Sequence, residues 1–320
     1  MNSAVAFILA AFVYPGLLAA LVAAWLLGWA RAATTATTQG RATPGPLSGA
    51  AGIASLFARE TYAPEGVSFF ALSLGTTVAV IAPLAALLLL PLPGNALVRS
   101  IGLSGDLIAE VALLLGLPLA RLFLGWIVPS PYSRLAADRS ARALAGAVLP
   151  LILGVTALAQ VHGELTLGDA GMIGQAPFTQ IAVALGAIAF LIALPTLAAL
   201  TPLRASDGAA ELAAGEGTDL SGHDLAFLRI GEALQLVAGV GFFVLAFAAP
   251  LLTRFTGAVE HGIALAVVAI LVALGLGFWD GRFGSRPEQS ERPPLSWWVG
   301  LPTLIALAAL VAAAWATRGI

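Results

Sequence analysis

Two groups of charged residues stand out in a chain of 320 residues that is 59% hydrophobic and 10% charged. The first is "ELAAGEGTDLSGHDLAFLRIGEALQ", residues 211–235, which holds five acids: Glu211, Glu216, Asp219, Asp224 and Glu232. The second is Asp106, Glu110 and Arg121, all inside one apolar run. Carboxyl groups can take up and release protons. Glu232 lies about two helical turns, roughly 10 Å, inside the apolar run that follows its loop. An ionised group there is costly and is neutralised, paired or turned to water. Two uses fit: a proton relay, or a structural carboxylate bonded to a neighbouring helix. Asp106 and Glu110 are four apart, hence on one helix face. Glu110 is expected near the midplane of its run, as a proton conductor or as half of a static ion pair with an arginine. Asp106 reads as a local polar cap nearer the run's outer end. Arg121, three turns beyond Glu110, can snorkel to the inner surface or pair with a carboxylate of another helix.

Other chemistry is excluded by what the chain lacks. It has no cysteine, and all fifteen basic residues are arginine. There is therefore no thiolate set for an iron–sulfur cluster, no Walker A lysine and no Schiff-base lysine. His162, His223 and His261 lie far apart and lack the paired spacing of a metal site. Any redox centre belongs to a partner, and no nucleic acid is expected.

The elements that must position these groups are membrane helices. A mean hydropathy of +0.96 reflects eight long apolar runs, near 4–30, 68–92, 101–128, 137–161, 177–201, 225–251, 257–279 and 295–317. Each is long enough to cross ~30 Å of hydrocarbon as a helix, and none alternates as a barrel strand does. The expected fold is all-α, a single polytopic bundle over 1–320 with about eight spans. The first run is too long for a signal-peptide core and has no positive charge before it, so it is expected to remain as a membrane helix.

The arginines set the orientation. Eleven fall on the loops or helix ends after the odd-numbered runs, against three on the other side, Arg99, Arg254 and Arg318. The positive-inside rule then places both termini outside a cytoplasmic membrane. The inner segments 31–67, 202–224 and 280–294 are also long, whereas the outer links are short except for 162–176, so the inner face is built to be contacted. Within the first, Pro44, Gly45 and Pro46 interrupt any helix. Leu47, Ala50, Ile53, Ala54 and Phe57 then recur at helical spacing, predicting a short amphipathic helix along the inner surface.

Gln39, Arg41 and Gly45-Pro46, a surface helix ending in Arg59-Glu60, and then "YAPEG" with Glu65 resemble the first loop of the NuoH family. These are membrane anchor subunits of NADH:quinone oxidoreductase and of membrane-bound NiFe hydrogenases of the formate hydrogenlyase type. "GDLIAEVALLLGLPLARLFLGW" and "SPYSRLAADRSARA", with Arg139, continue the likeness. The opening stretch is similar to the family's "EL…G…EYSG…LA…AE", and "DLSGHDLAF" is nearest the hydrogenase form.

The resemblance implies that the loop between the fifth and sixth spans lines a cavity facing a hydrophilic arm. Glu211, Asp219 and Glu232 fall on positions that carry carboxylates in the family, with Asp219 in place of a glutamate. With Asp106 and Glu110 they form the expected proton-relay set. Gln39, Arg41, Arg59, Glu60, Glu65, Arg139 and Glu216 form the expected docking set. Implied partners are soluble iron–sulfur and hydrogenase-like subunits, which would hold the clusters and any NiFe centre, and antiporter-like membrane subunits, all set in the lipid bilayer. No cofactor is expected on this chain itself, save a quinone in the quinone-reducing branch.

Two departures from the pattern matter. Gly52 and Ser55 stand where the family's surface helix carries an acid and a lysine, which argues against the quinone branch. Val148 and Leu149 stand before Pro150 where a glutamate is usual, interrupting the family's chain of buried acids. A free-standing secondary transporter is the alternative of another class, although residues 1–160 and 161–320 show no convincing repeat.

Overall fold

The computed structural model describes residues 8, 11–14, 16–92, 95, 105–167, 177–198, 219–252, 258–284 and 295–317. Among the described residues, ten helices of eight or more residues run in the order α1 (Leu17–Thr38), α2 (Ser48–Phe57), α3 (Phe69–Leu89), α4 (Leu107–Leu114), α5 (Gly116–Ile127), α6 (Pro131–His162), α7 (Pro177–Leu197), α8 (Gly222–Phe243), α9 (Ala258–Gly284) and α10 (Leu295–Thr317). A π-helical turn, Val244–Ala248, extends α8. Among the described residues there is no strand, only an isolated bridge between Asp106 and Thr166. Eight helical segments among the described residues are long and apolar enough to cross a membrane, with α4 and α5 forming one span and α2 too short for one. The chain is a multi-pass membrane protein.

The span bearing α8 is the centre of the bundle: 72% of its apolar window is buried, against 17% for α1 and α9. It packs on α3, α1, α2 and α7, while α9 lies along α1 and α10 along α6 and α7. The close approach of α8 to α3 depends on Gly231, because a Cβ there would lie 2.3 Å from the Ala79 carbonyl oxygen.

Three boundaries differ from the expectation. The first span ends at Thr38 rather than 30, so Arg31 is helical rather than in a loop. Thr34, Thr35 and Thr38 bond back to carbonyls one turn earlier, and Gly40, at φ +66°, ends the run. The Thr35 hydroxyl, with its one proton, also lies 3.1 Å from the Gly277 carbonyl oxygen, and Arg31 pairs with Asp280 at 3.1 Å, tying α1 to α9. The third span starts at Leu107, so Glu110 sits in its first turn and not midway. α8 starts at Gly222, which draws Asp224 into the bundle.

The two ends of the bundle are stitched differently. At the end with more arginines, α2 and the loop after it meet the start of α8. At the opposite end, backbone bonds join Gly105 to Leu89 and Leu167, and Leu107 to Leu165.

Candidate functional site

Glu232 is shared by two guanidinium groups. Arg229, three residues earlier on α8, donates from Nη1 to its Oε2 at 2.8 Å, and Arg121 of α5 approaches Oε1 with Nη1 at 3.2 Å. The Arg121 side chain is 9% exposed and that of Glu232 17%. Of the two fates open to Arg121, pairing with a carboxylate of another helix is the one observed. The carboxylate therefore both ties α5 to α8 and holds negative charge within the bundle. Changing its protonation would disturb both ion pairs at once.

One turn deeper, Gln235 settles a defect in the third span. Pro118 has no N–H to offer the Leu114 carbonyl, and α4 gives way to α5 at Leu115. Gln235 Nε2 donates to that Leu114 oxygen at 2.7 Å. Gln235 is 1% exposed, and its Oε1 has no hydrogen-bond partner among the described residues. Glu110, one turn before Leu114 on α4, is fully buried with both carboxyl oxygens unpartnered in the same sense. Asp106 accepts from the backbone N–H groups of Ile108 and Ala109, an N-cap for α4.

The segments expected from the sequence to dock a partner meet at the arginine-rich end. Thr61 Oγ1 lies 2.7 Å from His223 Nδ1 and accepts from the His223 N–H at 2.9 Å. Tyr62 N–H donates to Ser221 Oγ at 3.1 Å. The Phe57 ring meets His223 and Phe227 edge-on, at 5.6 and 5.9 Å. Gly222 makes this fit possible: at φ +52°, a side chain would lie 2.8 Å from the Glu60 carbonyl oxygen and 2.9 Å from that of Arg59. Ser133, at the start of α6, donates to Asp219, which fixes the approach to α8 from the other side.

Arg41, Arg59, Glu60 and Glu65 are exposed on this end, and Gln39 caps α1 through its backbone N–H. Glu211, Glu216 and the Arg139 side chain lie outside the described residues. The structure thus brings Glu232 together with Arg121, and Asp219 with Ser133. Asp106 and Glu110 belong to the start of α4 instead. Sequence reasoning assigned no role to Thr76, Asp224 and Gln235. A signal existed for two of them, since Asp224 and Gln235 are eleven apart, three helical turns, on one face of α8.

Beside the contact of α2 with α8 is a cavity of about 570 Å³, lined by α1, α2 and α8, with Trp25, Ile53, Phe57 and Ile230 on its walls and Arg31 among the residues lining it. Trp25 and Trp29 donate from Nε1 to the carbonyls of Pro46 and Pro44, at 2.7 and 3.1 Å, pinning the Pro-Gly-Pro turn to α1. Its size and apolar lining are those of a small-molecule site.

Among solved structures, the chain is similar to one in the structure of the membrane-bound sulfane sulfur reductase (MBS), an archaeal respiratory membrane complex. The TM-score is 0.76 at 24% identity, over 92% of this chain and 97% of that one. No curated protein matches. The profile of the family described as NADH dehydrogenase spans residues 10–314, nearly the whole bundle with Glu110, Arg121, Asp219 and Glu232 inside it, and the chain belongs to that family, as a NuoH-type membrane protein.

Proposed function

We propose that this chain is the membrane anchor and coupling subunit of a complex I-like oxidoreductase of the hydrogenase type. Its arginine-rich end faces the cytoplasm, with both termini on the outer side of the cell membrane. That end docks a soluble iron–sulfur arm, and antiporter-like subunits adjoin it in the bilayer. The observation that carries the reading is the stitched surface of residues 57–62 and 221–227, which meets the first turns of α8, the helix that carries Glu232 and through it the pair with Arg121 of α5. A partner that shifts this surface can reach the buried charges through α8. Family membership and the likeness to a chain of a respiratory membrane complex support the assembly, and the "SGHDLA" form of the motif supports the hydrogenase branch. The clusters and any NiFe centre belong to the partners.

A tagged chain purified from its native membrane is expected to bring down an iron–sulfur protein and a hydrogenase-like large subunit with two CxxC motifs. The same large subunit without those motifs would replace the hydrogenase type with the quinone branch, the second reading. The cavity between α1, α2 and α8 favours that reading, as a place for a quinone. A monodisperse, ligand-binding protein without partners would leave a transporter instead. For the coupling role, Glu232→Gln keeps size and hydrogen bonding but removes the titratable group. The complex is expected to assemble and to lose part of its ion-coupled turnover in membrane vesicles; full activity with an intact gradient would end the relay role.

A further inference from the structure

Asp224 has been given no part so far, yet its surroundings are unusual for a carboxylate. It lies in the first turn of α8, next to the stitched residue His223 and about 12 Å along the helix from Glu232. It is 5% exposed, and its Oδ2 has no hydrogen-bond partner among the described residues. Its one side-chain hydrogen-bond partner among the described residues is Thr76 of α3, itself 1% exposed, with Oγ1 at 3.3 Å from Asp224 Oδ1. Leu72 and Ala79, one turn either side of Thr76, and Leu220 and Leu228, one turn either side of Asp224, belong to a single buried cluster.

The Thr76 hydroxyl decides how this pair can work. It has one proton but three acceptors within reach: the Leu72 carbonyl at 3.2 Å, the Ser73 carbonyl at 3.1 Å and Asp224 Oδ1 at 3.3 Å. Threonine in a helix commonly gives its proton to a carbonyl of the preceding turn. When it does so here, its lone pairs face Asp224 Oδ1, and two bare oxygens would oppose each other in an apolar cluster. A proton on Oδ1 removes the conflict, because the carboxyl group then donates to Thr76 Oγ1 while Thr76 donates to its own backbone. If the proton leaves, the hydroxyl rotates and donates to the carboxylate. Both states are hydrogen-bonded, and only a hydroxyl rotation separates them.

We propose that Asp224 and Thr76 form a proton-holding pair at the arginine-rich end of the bundle. In this role Asp224 takes up a proton beneath the docking surface and passes it toward the Arg121–Glu232 pair. The passage to Glu232 rests on the coupling role proposed above; the holding of a proton by Asp224 does not. Among the described residues, the other charged and titratable groups near the start of α8 include His223, whose ring turns to Thr61 and Phe57, and Asp219, which accepts from Ser133. They also include Arg59 and Glu60, whose backbone carbonyls face Gly222 and whose side chains are exposed, and Arg229 and Glu232, which pair with each other on the same helix.

The test separates the two claims. Infrared difference spectra of the whole complex in its membrane, recorded across a pH step, are expected to show a protonated-carboxyl C=O band. Asp224→Asn should lose that band and Thr76→Val should shift it, because the acid loses its acceptor, whereas Thr76→Ser should leave it in place. A band unchanged in Asp224→Asn, or unmoved in Thr76→Val, overturns the proton-holding pair. Ion-coupled turnover is the second readout: Asp224→Asn and Thr76→Val are expected to lose part of it, with Thr76→Ser like the wild type. If Glu232→Gln is fully active while Asp224→Asn loses the band, the relay to Glu232 falls and the holding site stands. If Asp224→Asn does not assemble, the Thr76 variants carry both readouts.

Discussion

The two halves of the central span are built differently: the first, Gly222–Gln235, mixes buried with half-buried and exposed residues, and the second, from Leu236 to Ala248, is almost wholly buried. From Gly222 to Gln235 the span presents Asp224, Arg229, Glu232 and Gln235, which bond or pair with groups on α3, on the α4–α5 span and on α8 itself. Beyond that, Phe242, Phe243 and Phe247 gather on Phe190 of α7, with centroids 5.3, 6.1 and 5.5 Å away. The π turn belongs to this second half. Its last N–H, that of Ala249, bonds to Val244 five residues back, just before Pro250, which offers no N–H of its own. A polar half is held by directional pairs, each with one correct partner, and losing a partner leaves a buried group exposed to an apolar medium. An aromatic half is held by shape, which neighbouring side chains can partly restore. The coupling role and the proton-holding pair proposed above both fall in the polar half.

The sharpest way to break this contrast is to damage the contacts of each half with the same new residue, at Glu232 itself and at Phe190, the α7 ring on which the aromatic half packs. Glu232→Leu removes the carboxylate shared by Arg121 and Arg229 and is expected to cost about 3–5 kcal/mol, as breaking a buried ion pair does. Phe190→Leu keeps most of the volume and is expected to cost about 1.5 kcal/mol or less. Thermal unfolding of both variants in detergent checks the order, and a larger loss for Phe190→Leu would reverse the comparison.

The Pro118 defect sharpens it further. Gln235→Leu leaves the Leu114 carbonyl unpaired and is expected to cost about 1–3 kcal/mol. Adding Pro118→Ala restores a backbone N–H four residues beyond Leu114, so the double variant should recover much of that loss. A double-mutant cycle measured by the same unfolding assay reads this directly, and additive losses would show that Gln235 serves something else.

The smallest effect is expected at the periphery. The Arg31–Asp280 pair joins α1 to α9 with side chains 28% and 18% exposed. Asp280→Asn should therefore cost at most about 1 kcal/mol. Raised ionic strength should shrink the difference from wild type. An effect as large as that of Glu232→Leu would move the pair into the same class as the buried site.

The eight spans and the amphipathic α2 were legible in the residues, because a bilayer demands uninterrupted apolar length and that length is a property of the chain alone. The gathering of acids in 211–235 and the placing of Glu232 inside an apolar run were legible for the same reason. What each polar group bonds to was not. Arg121 had a choice between the membrane surface and a carboxylate, and only the crossing of α5 over α8 supplied Glu232 within 3.2 Å. Gln235 acquires its use from a proline 117 positions away, and Asp224 from a threonine 148 positions away. Such pairings depend on which helices touch and at what rotation, and that is decided by close approaches such as Gly231 against the Ala79 carbonyl. Hydropathy places a helix in the membrane but leaves its rotation about its own axis open. Tertiary packing sets that rotation, and with it whether a buried acid meets an arginine, a hydroxyl or neither.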